Sequence, residues 1–178
     1  SGTVTWDTGG TSTMYALSTF NNITTTTSGT KLRWFSALTL AGNLTVAAST
    51  NVYEHSSAGG AFTVGGNVSV SGTLGDSSAY SAYEFGSLTI ATGGTYNATS
   101  GTTTITSRTS GGYSWYSPTT GSTFTHNNGT VKLAYTGNET YWQGTGWYNL
   151  EIAGHTAHEH RYDDLTDGSG LTVYNNFT

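Results

Sequence analysis

The sequence contains no cysteine, so no disulfide can hold its fold together. Charge is almost as scarce. Lys, Arg, Asp and Glu make up 8% of the 178 residues, against roughly 25% in an ordinary soluble domain. With a formal net charge of −5 and no Lys/Arg cluster, nucleic acid is not an expected partner; Lys31 and Arg33 are the closest basic pair. Lys, Glu, Gln and Leu, all strong helix formers, are few, which argues against a helical fold. No apolar run approaches the roughly 18 residues of a membrane-spanning helix. The ten carboxylates are scattered, and neither Glu54-His55 nor the His-rich segment near the end has a nucleophile motif or a matched second acid beside it. An enzyme is therefore not expected.

What the chain does have is Thr (37), Gly (25), Ser (21) and Asn (12), together more than half of it. Such a mix would suggest disorder if aromatics were few and net charge high, but aromatics reach 13% and the charge is modest. Thr, Tyr, Trp, Phe, Val and Ile favour strands, whereas Gly and Asn favour turns. The expected fold is all-β, in one domain. A surface rich in hydroxyls and nearly free of Lys and Glu suits a secreted or cell-surface protein. The sequence opens at Ser1 with neither an initiator Met nor a signal peptide, which reads as a processed mature chain or a piece of a longer one.

Short segments alternate an apolar residue with a hydroxyl, the period of a half-buried strand. They are Leu38–Leu40, Asn43–Val46, Phe62–Val64, Asn67–Val70, Ser87–Ile90, Thr103–Ile105, Phe124–His126, Val131–Leu133, Leu150–Ile152 and Leu171–Val173. Turn signals separate them at Gly42-Asn43, Gly65-Gly66-Asn67, Gly93-Gly94 and Gly129. Leu44, Val68, Leu88, Thr104 and Phe124 follow one another at intervals of 24, 20, 16 and 20 residues. A similar unit recurring near 20 residues predicts a parallel β-helix, that is, a β-solenoid. The alternative is an antiparallel β-sandwich or jelly roll with strand-exchanged ends. A longer offset of 127 relates Gly2-Thr3-Val4-Thr5 to Gly129-Thr130-Val131-Lys132 and Leu44-Thr45-Val46 to Leu171-Thr172-Val173. On that basis residues 1–50 and 129–178 read as related modules, with 51–128 as intervening coils.

The runs Gly121 to Val131, Trp147-Tyr148-Asn149-Leu150-Glu151-Ile152 and Gly42-Asn43-Leu44-Thr45-Val46 resemble repeats of large bacterial and archaeal surface proteins. These are the filamentous-haemagglutinin-like and adhesin-like proteins with right-handed parallel β-helices. The resemblance covers about half of the chain, in pieces. It implies an extracellular fibre or adhesin role and carries over no catalytic residue.

Several features are candidates for binding. The segment from His155 to Asp164 holds three of the five His; if it is a strand, His158 and His160 share a face and would bind a transition metal beside His155. Asp163, Asp164 and Asp167 before Gly168 offer hard oxygen ligands to calcium, although their spacing misses the EF-hand pattern. A polar loop and a solvated turn explain both stretches equally. Exposed Trp115, Trp142 and Trp147 would stack on sugars; the alternative is that they fill a core short of Leu and Ile. Seven Asn-x-Ser/Thr triplets, at Asn22, Asn43, Asn67, Asn97, Asn128, Asn138 and Asn176, would accept N-linked glycans in a glycosylating pathway. Runs such as Thr24–Thr27 raise ice binding, but the Thr positions look too irregular for one flat face. No cofactor is required. The expected function is structural: an extracellular filament or surface fibre whose copies join end to end by strand pairing, with a glycan-binding adhesin module as the alternative.

Overall fold

A segment with apolar residues at every second position has one dry and one wet face, and strands of that kind bury the dry face by stacking around a common lumen. The computed structural model shows that outcome: a parallel β-solenoid of about seven turns, with no helix among the described residues. The structure describes residues 2–15, 18–55, 59–76, 78–118, 120–137, 139–144, 146–153, 159–163 and 171–178.

The first turn comprises β1 (Thr3–Trp6), β2 (Thr11–Met14) and β3 (Ser18–Phe20), and the second β4 (Asn22–Thr25), β5 (Lys31–Trp34) and β6 (Leu38–Leu40). Next come β7 (Leu44–Val46), β8 (Asn51–Glu54), β9 (Phe62–Val70), β10 (Thr73–Leu74) and β11 (Tyr83–Ile90). They are followed by β12 (Thr95–Asn97), β13 (Thr102–Ile105), β14 (Tyr113–Tyr116), β15 (Thr123–Thr125) and β16 (Thr130–Leu133). The last are β17 (Thr140–Gln143), β18 (Trp147–Ile152), β19 (His160–Tyr162) and β20 (Val173–Phe177).

Every pairing among the described strands is parallel. A sandwich or jelly roll would require antiparallel neighbours, so that alternative is excluded. The pairings resolve into three faces. The first stacks β1, β4, β7, the second halves of β9 and β11, then β14, β17 and β19. The second stacks β2, β5, β8, β10, β12 and β15. The third stacks β3, β6, the first halves of β9 and β11, then β13, β16, β18 and β20.

On the first face the inward column runs Val4, Ile23, Leu44, Val68, Leu88, Trp115, Trp142, Tyr162. The spacings of 24 and 20 residues expected from Leu44 to Val68 to Leu88 are thus the true register. The next spacing is not 16 but 27, because Leu88 pairs with Trp115 rather than with the neighbourhood of Thr104. The offset of 127 does not join equivalent places in the coil. Thr3–Trp6 lies on the first face and Thr130–Leu133 on the third, and Leu171 and Thr172 precede β20 rather than belong to it.

Aliphatic side chains and rings share the lumen from the second turn onward. A continuous aromatic column passes from Trp34 to Phe62 at 4.5 Å, through Tyr83, Phe85 and Tyr96, to Trp115, Trp147, Trp142 and Tyr162. Each buried ring removes about 150–250 Å² from water, which is how a chain with few Leu and Ile builds a core.

Candidate functional site

The corner between the third and first faces carries the most regular chemistry. In successive turns it reads Asn21-Asn22, Gly42-Asn43, Gly65-Gly66-Asn67 and Gly86-Ser87. The Asn43 N–H donates to Asn22 Oδ1 at 2.7 Å, the Asn67 N–H donates to Asn43 Oδ1 at 2.8 Å, and Ser87 Oγ donates to Asn67 Oδ1 at 2.6 Å. Asn22 Nδ2 reaches back to Thr3 Oγ1 at 3.3 Å. The glycines are dictated by the ladder, since a Cβ on Gly66 would stand 2.3 Å from Asn43 Oδ1 and 2.7 Å from the Gly42 carbonyl oxygen. Three of the seven Asn-x-Ser/Thr triplets, at Asn22, Asn43 and Asn67, are therefore the coil repeat itself.

Outward from the same face, Thr5, Thr24, Thr45, Ser69 and Thr89 align in register as a column of hydroxyls. With Thr3, Asn22, Asn43 and Asn67 beside the first four of them, and Ser87 buried beside the fifth, they make a face of five rungs that carries no charged side chain. The Thr positions that look irregular in sequence become regular once the turns are stacked.

The three tryptophans do not form an exposed sugar platform. Trp115 and Trp147 are 0% and Trp142 is 3% exposed, because all three occupy inward positions of the aromatic column. Of the candidate metal ligands, His155, His158, Asp164 and Asp167 lie outside the described residues, as does the triplet residue Asn138. His160 sits on β19 opposite Thr140. Asp163 is buried, and its Oδ2 accepts the Tyr113 hydroxyl. Among the described residues no group of three His, Asp or Glu is placed to hold a metal ion. Asn97 donates to the Gly75 carbonyl at 3.5 Å, and the Asn128 N–H donates to His126 Nδ1 at 2.9 Å. Asn176 is exposed on β20.

Glu54, which in the sequence stands out only as the neighbour of His55, is buried in the structure. It is 1% exposed at the end of β8; its carboxylate accepts the Ser81 hydroxyl and, at 3.2 Å, the Tyr83 hydroxyl. Burial, with the Glu54 charge beside it, pushes the Tyr83 phenol far above its ordinary value. The signal lay in the strand period: Val52 and Glu54 alternate, so both point inward.

The two ends of the described solenoid are open. β1 pairs only with β4, and β20 only with β18. At the latter end Phe177 stands in register over Leu150, and a groove of about 440 Å³ runs past Thr130, Asn149, Leu150, Asn176 and Thr178. No family model, curated protein or solved structure matches the chain.

Proposed function

We propose that this chain is a non-enzymatic structural element of an extracellular filament or cell-surface fibre, assembling end to end by parallel strand pairing with further copies of itself. The observation that carries the proposal is Phe177, which stands in register with an inward column yet is 57% exposed, with no coil of the described residues over it. A free strand edge is normally blunted by charge or proline. β1, β2 and β3 at one end contain neither; at the other, β20 contains neither, although β19 at the same end carries Arg161. A copy stacked there would continue the rule that builds every turn: in-register strands, apolar residues inward, hydroxyls outward. The composition supports an extracellular setting, in which the exposed triplets at Asn43, Asn67, Asn128 and Asn176 are open to glycan attachment. Negative-stain electron microscopy of concentrated protein tests the proposal. Filaments one solenoid wide support it, and a field of single short particles at every concentration rejects it.

A further inference from the structure

The solenoid changes its corner partway along. From Phe85 on the third face to Leu88 on the first is three residues, and the equivalent step from Ile105 to Trp115 is ten, so seven extra residues enter this corner. The next turn keeps a wide corner, with nine residues from Leu133 to Trp142. The asparagine ladder ends at Ser87, in the last narrow corner before the wide one.

The junction of narrow and wide turns leaves a step on the first face. A cleft of about 450 Å³ opens there, lined by Thr89, Thr109, Ser110, Gly111, Tyr113 and Tyr116. Its lining contains no charged side chain. One wall is a closed turn: the Thr109 N–H donates to the Tyr113 carbonyl at 2.8 Å, the Gly112 N–H to the Thr109 carbonyl at 2.9 Å, and the Tyr113 N–H to Thr109 Oγ1 at 3.2 Å. Gly112 sits at a φ of 91°, which a side chain would strain. Tyr113 is further fixed by its bond to buried Asp163 and packs edge-on against Tyr116 at 5.1 Å. The cleft is therefore set before any ligand arrives. Tyr116 also continues the outward hydroxyl column, pairing with Thr89 below it.

We propose that this cleft binds a neutral polysaccharide, with one sugar ring against Tyr116 and the chain lying along the hydroxyl column through Thr89 and Ser69. The site is shallow and open, and its two rings with a few hydroxyls suit a ligand that lies along the surface rather than one enclosed in a pocket. A sugar offers a C–H face to the rings and hydroxyls to Thr89, Thr109 and Ser110. The lining itself offers a charged ligand no counter-charge: Arg108, next in sequence to Thr109, donates to the Glu139 carbonyl and lies over the Tyr135 ring, and Arg161, two strands on, is paired with Glu139 at 2.5 Å and Glu159 at 2.8 Å. The inference is independent of how the ends assemble.

The test is calorimetric titration of the intact chain with cellohexaose, maltohexaose, laminarihexaose and chitohexaose, with an oligogalacturonate as a charged control. At least one neutral hexaose binds and the control does not. Tyr116→Ala weakens that binding by about tenfold or more, the scale of one lost ring contact. Thr89→Lys, which alters the lining without touching the core, weakens it as well, and Tyr15→Ala, remote in sequence and exposed, leaves it unchanged. No binding of any neutral hexaose overturns the proposal. So does binding that survives both Tyr116→Ala and Thr89→Lys in variants retaining the β-sheet circular dichroism spectrum.

Discussion

Phe177 lies in register over Leu150 on the third face, yet Leu150 is 1% exposed and Phe177 57%. The two residues have the same role in successive coils. Among the described residues a coil covers Leu150 and none covers Phe177. The column below them continues through Val131 and Thr103 to Tyr83 and Phe62, all buried. An apolar side chain in such a column is stabilised by roughly 1.5–3 kcal/mol when covered, which is the gain the proposed stacking would draw on at Phe177.

Trp115 is a core residue, not a binding platform. Trp115→Ala removes a fully buried indole from the middle of the aromatic column and destabilises the protein by about 3–5 kcal/mol. Chemical denaturation monitored by circular dichroism measures this. A loss near zero would contradict the inward placement.

The glycine corners are steric requirements of the ladder. A Cβ on Gly86 would stand 2.5 Å from the Gly66 carbonyl oxygen and 2.7 Å from that of Gly65, both backbone atoms that cannot swing aside. Gly86→Ala is expected to cost about 1–3 kcal/mol. In a solenoid each coil touches only its neighbours, so the damage is local. Hydrogen exchange should speed up at residues near 65–70 and 85–90 and stay unchanged near 11–14.

Asn43 joins its turn to the next through one side-chain acceptor. Asn43→Ala leaves the Asn67 N–H without its 2.8 Å partner at a position open to water, at a cost of about 1 kcal/mol. Asn43→Asp keeps an acceptor there and should cost less. Equal losses for the two variants in parallel denaturation curves would show that the ladder contributes nothing.

Three tyrosines make the fold sensitive to alkali. Burial raises the Tyr83 and Tyr96 phenols far above their ordinary value of 10.0, and the hydrogen bond to Asp163 takes Tyr113 up to about 12. The folded chain therefore holds protons that the unfolded chain releases above about pH 10, and stability falls as pH rises from that point. It should be unaffected by these groups at lower pH. In a spectrophotometric titration, tyrosinate absorbance should show part of the tyrosine population ionising only as the β-sheet signal collapses. Smooth titration of all twelve tyrosines with the fold intact would contradict the hydrogen-bonding and burial described.

Much of the fold was legible because its repeat is chemical. Apolar-hydroxyl alternation and Gly-Asn punctuation placed Leu44, Val68 and Leu88 at their true register. The signal failed where geometry replaced composition. The seven extra corner residues carry no mark in a chain already rich in Ser, Thr and Gly, so the spacing pattern does not show the interval of 27 after Leu88. β1, β2 and β4 are so rich in Thr that little apolar alternation announces them. The offset of 127 linked strands that share a pattern but not a face, since almost any Thr-x-Thr segment matches another here. Tyr113-Ser114-Trp115-Tyr116 shows the same limit for the site. An irregularity between Tyr113 and Trp115 turns the indole inward and leaves the tyrosines at the surface, and no residue type in that run signals it.

End-to-end stacking is tested most directly by sedimentation velocity of the intact chain over a wide concentration range, beside a Phe177→Lys variant. The substitution places a charge on the open strand without entering the buried core. The unmodified chain should shift to progressively larger species as concentration rises, and Phe177→Lys should remain a single slow boundary with an unchanged circular dichroism spectrum. A concentration-independent monomer for the unmodified chain, or assembly that persists undiminished in Phe177→Lys, would contradict it.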